Sequence, residues 1–194
     1  MYQICVSGAS KGKSVKEGRA LAVAVGKAIA RSGHGLLTGA TAGLPDSAAV
    51  GYKAAHGKVS LGVSPAASKI EHVIKYRLPT ESYDVILYTG LHYVGRDTLL
   101  IASADAVISI GGRLGTLHEF TIAMETRTPI GFLQGAGGIS DEIMEILHAT
   151  GENRSELVVF DDDPDKLITK LIKILNKLNH SHRSLYSWKR LRYN

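Results

Sequence analysis

The stretch DAVISIGGRLGTLHE, residues 105–119, decides the fold. Its first six residues, Asp105 to Ile110, form the most apolar short run in the chain. A short run that is mostly apolar, with no regular polar alternation, fits a strand covered on both faces, as in a parallel sheet. Gly111 and Gly112 follow at once and let the backbone turn sharply, because neither carries a Cβ. A helix is expected over residues 116–126. Strand, glycine turn and helix in immediate succession form the repeating unit of an α/β protein.

The same alternation extends in both directions. Toward the N-terminus, strands are expected at 2–7, 35–38, 58–63 and 84–88, with helices at 15–32, 45–56 and 94–103. Residues 64–82 show no clear period and read as a connection along a sheet edge. Toward the C-terminus come a strand at 129–133, a helix at 140–148 and a strand at 157–160. Asp163 then reads as an N-cap with Pro164 at the first helical position, opening a helix to about residue 178. Helix capping accounts for the acidic triplet Asp161 to Asp163 more simply than a metal site does. The pattern predicts one doubly wound, mostly parallel, Rossmann-like α/β domain over residues 1–179, with helices on both faces. Residues 180–194 form a basic, aromatic tail.

Composition narrows the function classes. The 194 residues carry a formal charge of +5. Arg183, Lys189, Arg190 and Arg192 lie in the tail with no acid, so the tail holds four of those charges and the domain about one. The pI near 9.3 therefore describes the tail and implies no basic binding face on the domain. Tyr186, Trp188 and Tyr193 are interleaved with these cations, so nucleic acid binding is conceivable through the tail only. No apolar stretch is long enough to span a bilayer, and no signal-peptide zones open the chain, so a cytoplasmic protein is expected. Cys5 is the only cysteine and reads as an inert core residue. The eight histidines show no metal-ligand spacing, and no metal or cofactor is expected.

Ligands of doubly wound folds sit at the carboxyl ends of the strands. Three glycine-rich turns fall there: residues 8–10, 38–43 and 111–116. The first belongs to GASKGKS, residues 8–14, which nearly matches a P-loop. Only Ala9, Ser10 and Lys11 separate Gly8 from Gly12, whereas the motif requires four residues. It reads as a strand-to-helix turn that faces a phosphate without encircling it. In the third turn, Thr116 brings a hydroxyl to a helix start whose unpaired N–H groups and dipole favour an anion. Glu119, three residues on, has two readings. It closes a Thr-x-x-Glu capping box, or it serves chemistry in the cleft.

GlyGlyArgLeuGlyThrLeuHisGlu resembles the PGGxGTxxE signature of the lonely-guy (LOG) family of nucleoside-monophosphate phosphoribohydrolases. Arg96 stands at matching distance before AlaAspAla at 104–106, as in that family's MxxRK segment. ThrGlyAlaThrAlaGlyLeu at 38–44 is similar to its GGGxxGL turn, and GlyAlaSer at 8–10 to its opening GSS. The likeness spans about residues 2–175 and reaches the wider SLOG superfamily, which includes molybdenum-cofactor carrier proteins and DNA-processing protein A. It implies that Gly111, Gly112, Gly115 and Thr116 hold a 5′-phosphate, with Gly8, Ser10, Gly39 and Gly43 shaping the facing walls. It further implies Arg96 and Glu119 as catalytic residues, a homodimer, and a nucleoside monophosphate or related phosphate compound as ligand. Cleavage of the N-glycosidic bond would give free base and ribose 5-phosphate. A carboxylate beneath the ribose stabilises the oxocarbenium-like state of such a reaction, and Arg96 nearby is expected to keep Glu119 ionised. A carrier that binds a nucleotide or cofactor without cleaving it is the alternative.

Several residues depart from that pattern. Ile110 replaces the signature proline, Tyr93 stands at the methionine, and Asp97 replaces the lysine and is placed to pair with Arg96. Ala40 adds a methyl expected to narrow the pocket, and Arg113 faces either phosphate or solvent. His118 reads as a surface helix residue and His92 as a candidate ligand contact. GlyAlaGlyGly at 135–138 reads as pocket rim or plain loop.

Overall fold

The structure is a computed structural model that describes residues 1–151 and 155–190. Seven strands form a single, wholly parallel sheet: β1 (Gln3–Gly8), β2 (Gly35–Thr38), β3 (Ser60–Ser64), β4 (Val85–Tyr88), β5 (Ala106–Ile110), β6 (Ile130–Leu133) and β7 (Val158–Asp161). The order is β4-β3-β2-β1-β5-β6-β7. The chain steps outward from β1 to β4, then returns to the other side of β1 and steps outward again. The reversal falls between β1 and β5, the central pair, with Cys5 opposite Val107 and Gly8 opposite Ile110.

Side chains alternate across the pleat, so each central strand feeds two cores. Ile4, Val6, Leu36, Ile108 and Ile110 pack with α1 (Lys13–Arg31), α2 (Leu44–Ala54) and α6 (Pro164–Arg190). Cys5, Leu37, Val107, Ile130 and Phe132 pack with α3 (His92–Ala102), α4 (Leu114–Thr126) and α5 (Ile143–Thr150). Burial pushes the Cys5 thiol well above its ordinary range, in keeping with its place in the core.

All the expected strands are present, and the boundaries moved where capping is irregular. Asp163 does cap α6: its Oδ1 accepts from the N–H groups of Asp165 at 2.8 Å and Lys166 at 3.1 Å. That helix continues to Arg190, beyond the end expected near residue 178, and so through much of the segment read as a tail. The aromatic and basic side chains assigned to that tail lie outside the described residues. Between β3 and β4 the unpatterned stretch contains one π-helical turn, Glu71–Lys75. No described helix is long and apolar enough to cross a membrane.

Candidate functional site

The reversal between β1 and β5 opens a cleft at the carboxyl ends of the strands, enclosing about 750 Å³ with its open mouth included. Gly8, Ser10, Gly39, Arg96, Gly115, Thr116 and Glu119 all line it, so seven residues singled out in the sequence converge. Gly43, Gly111 and Gly112 do not line it. They set the backbone behind the walls.

The glycines do different work. A Cβ on Gly8 would lie 2.7 Å from the Ile110 carbonyl, so this glycine lets β1 and β5 end side by side. Gly43 has φ 89, and a Cβ there would lie 2.4 Å from the Ala9 carbonyl, which binds the first and second turns together. Gly111 and Gly112 have φ 57 and 100, a region that side chains rarely occupy. Their carbonyls are held from behind: Ser140 Oγ donates to Gly111 at 2.9 Å and the Ile139 N–H to Gly112 at 3.1 Å. The 135–138 glycines thus support the turn and do not line the cleft. Gly115 faces open space.

α4 begins at Leu114, with Arg113 as a cap that makes no side-chain bond. Thr116 is therefore the third helical residue, and the capping-box reading of Glu119 fails. The first-turn N–H groups remain available at the cleft wall, beside the positive end of the helix dipole. Arg113 lines the cleft next to them.

On the opposite wall Arg96 is only 4% exposed. Its Nη1 donates to the Val63 carbonyl at 3.1 Å, and its Nε lies 3.3 Å from Asp97 Oδ1. A Cβ on Gly39 would sit 1.7 Å from Arg96 Nη1, so Gly39 makes room for this guanidinium. The expected pairing of Asp97 with Arg96 is present. Asp97 Oδ2 also meets His118 Nδ1 at 3.1 Å, so His118 joins the cluster and is not a bare surface residue. Glu119 is hydrogen-bonded to the Ser7 hydroxyl. Ser109, opposite Ser7 in the sheet, has a buried hydroxyl with no partner.

Arg96 does not keep Glu119 fully ionised. Burial, reinforced by the neighbouring Asp97 charge, raises the Glu119 carboxyl to about 7, against the opposing pull of Ser7, Arg96 and His118. Burial likewise raises Asp97, partly offset by Arg96 and His118. The Glu119 value in the fold exceeds that of the unfolded chain, so its neutral form favours folding. That contribution is complete below about pH 4.5 and is lost as pH rises through 7, a swing of about 3 kcal/mol. Glu119→Gln keeps an acceptor for Ser7 without the charge. Its stability in urea should fall less between pH 5 and pH 8.5 than that of the parent, and parallel profiles would contradict this account.

Other features lie elsewhere than expected. The Ala40 methyl points toward Gly62 on β3 and does not narrow the cleft: a Cβ on Gly62 would lie 2.8 Å from it. His92 bonds to the Tyr76 hydroxyl and does not line the cleft, whereas Tyr93 does. Ser7, the bonding partner of Glu119, carried no signal of its own beyond its place just before the Gly8 turn.

A parallel sheet with one reversal, and a glycine turn leading to a helix N-terminus beside it, define a Rossmann-like α/β domain. Within that class the chain belongs to the SLOG cluster4 family, whose model matches residues 1–168. It is 32% identical over 125 residues to an uncharacterized protein of Archaeoglobus fulgidus, covering 64% of this chain and 75% of that one. The solved structure of TM1055 is similar at 27% identity and TM-score 0.75, covering 89% of this chain and 99% of that one. The Moco carrier protein of Chlamydomonas reinhardtii is similar at 26% identity and TM-score 0.73, covering 91% and 98%.

Proposed function

We propose that the chain binds a phosphate-bearing, nucleotide-like small molecule in this cleft and carries or senses it without cleaving it. The observation that carries this reading is the commitment of Arg96. Its guanidinium is buried against Gly39, donates from Nη1 to the Val63 carbonyl, and is ion-paired at Nε with Asp97 without a hydrogen bond. It serves to hold the wall in place, which limits its freedom to follow charge developing on a substrate. The first turn of α4, with Arg113 and Thr116, supplies the anion site, and the cleft beside Glu119 accepts the attached sugar or ring. The likeness to a carrier protein supports the same reading.

Hydrolysis of a nucleoside monophosphate is the second reading, favoured by Arg96 and Glu119 facing one cleft. It needs an ionised Glu119 to stabilise a cationic sugar, and with its carboxyl near 7 only part of the protein is in that form at neutral pH. Incubation with AMP, GMP, CMP and UMP separates the two, with binding followed by calorimetry and base release by chromatography. Binding without release is expected. Release that disappears in Glu119→Ala would establish the hydrolase instead, and failure of all four to bind would reject both.

A further inference from the structure

The cleft continues beyond Tyr93. Ser10, Thr41 and Tyr93 are walls shared with an outer compartment of about 720 Å³, open mouth included. Lys11, Tyr76 and Arg77 also line it, and no carboxylate does. Lys11 belongs to the GASKGKS turn, whose Gly8 and Ser10 line the inner cleft while its lysine lines only the outer compartment. Among the described residues neither the Lys11 nor the Arg77 side chain has an ion-pair or hydrogen-bond partner, whereas nearby Lys13 and Lys75 pair with Glu17 and Glu71.

This wall is anchored from within. His72 is fully buried, its Nδ1 2.8 Å from Ser64 Oγ and its Nε2 3.0 Å from the Pro79 carbonyl. The π-helical turn around it is a form often found at functional sites. Tyr76 is fixed by a 2.7 Å bond from its hydroxyl to His92 Nδ1 and by edge-on contact with Tyr93 at 5.6 Å. Arg77 follows at φ 55, a left-handed conformation that a non-glycine residue keeps only where its surroundings impose it.

The geometry points to a second anion subsite: the ligand carries a further phosphate, held by Lys11 and Arg77, at the end remote from the α4 N-terminus. Two unpaired cations lining one small compartment without an acid repel each other and gain from an anion placed between them. A nucleoside monophosphate, with a single phosphate, engages the inner anion site and leaves Lys11 and Arg77 without an anion. A nucleoside bisphosphate, with phosphates on separate oxygens of one ribose, is the class that engages both. The inference rests on the reading that the inner compartment takes a nucleotide-like ligand.

Calorimetric titration of the full chain with AMP and with adenosine 3′,5′-bisphosphate tests it. The bisphosphate should bind about tenfold more tightly, the scale of an added charge-assisted contact. The double variant Lys11→Ala/Arg77→Gly should lose that preference and bind AMP as the parent does, because glycine accepts φ 55 without strain. Equal affinities in the parent would overturn the subsite and leave the inner reading standing. So would equal loss of both ligands in the variant. If neither ligand binds, the inner reading falls and the subsite with it.

Discussion

Arg96→Leu is expected to lower stability by about 4 kcal/mol at pH 8 and by much less at pH 5. Leucine replaces part of the volume, but Asp97 is left as a buried carboxylate without its cation, with Glu119 beside it. Removing one partner of a buried pair costs about 3–5 kcal/mol, because the other charge stays desolvated. The pH dependence has a definite sign. Without the guanidinium both carboxyls titrate still higher in the folded state, so the variant is penalised as pH rises and relieved as the acids take up protons. Urea midpoints at the two pH values provide the measurement. A loss equal at both would mean that Arg96 acts through packing alone.

The second large effect concerns α1 and α2. A Cβ on Gly26 would lie 1.9 Å from the Ala48 carbonyl and 2.7 Å from the Tyr52 nitrogen, and a Cβ on Gly51 2.2 Å from the Val23 carbonyl. The two helices touch backbone to backbone at both glycines. In an exposed helix, glycine to alanine stabilises by up to about 1 kcal/mol. Here Gly26→Ala should instead destabilise by about 3 kcal/mol, since only a shift of main chain can make room and overpacking of this kind costs 1–3 kcal/mol or more. Tyr52, fully buried beside the contact, would be displaced with α2, and with it the Pro45 wall of the cleft. A thermal or urea midpoint unchanged or raised would mean that the helices sit farther apart than described.

Much of this arrangement was legible in the residues. Buried strands such as Ala106–Ile110 announce themselves by predominantly apolar runs without regular alternation, and Asp163–Pro164 marks a helix start through side-chain chemistry. The start of α4 was misplaced because Arg113 caps without a side-chain bond, so Thr116 was the visible signal and the wrong one. The convergence of Arg96 and Glu119 was implied by the resemblance to the LOG motifs, and the pairing of Asp97 with Arg96 was readable from adjacency. What His118 and Ser7 contribute was not, since Ser7 and Glu119 meet across 112 positions of chain. Neither was the balance of charges on Glu119, which burial decides. Gly39 illustrates the same gap: its motif position suggested a wall of the cleft, which it lines, but not the guanidinium it makes room for.

The course of α6 has an electrical consequence. Its first half is clamped to the sheet by Leu167, Leu171 and Leu175, and Tyr2, at the start of β1, bonds Asn176 at 2.6 Å. Residue 176 therefore lies at the edge where the strands begin, opposite the cleft, and the rod runs on past that edge to Arg190. The backbone that bears Arg183, Lys189 and Arg190 thus leaves the sheet at the end opposite the cleft. At physiological salt the field of a charge decays within about 8 Å. The electrostatics of the cleft are therefore set by the groups that line it, Arg96, Asp97, Arg113 and Glu119, and owe little to the high isoelectric point.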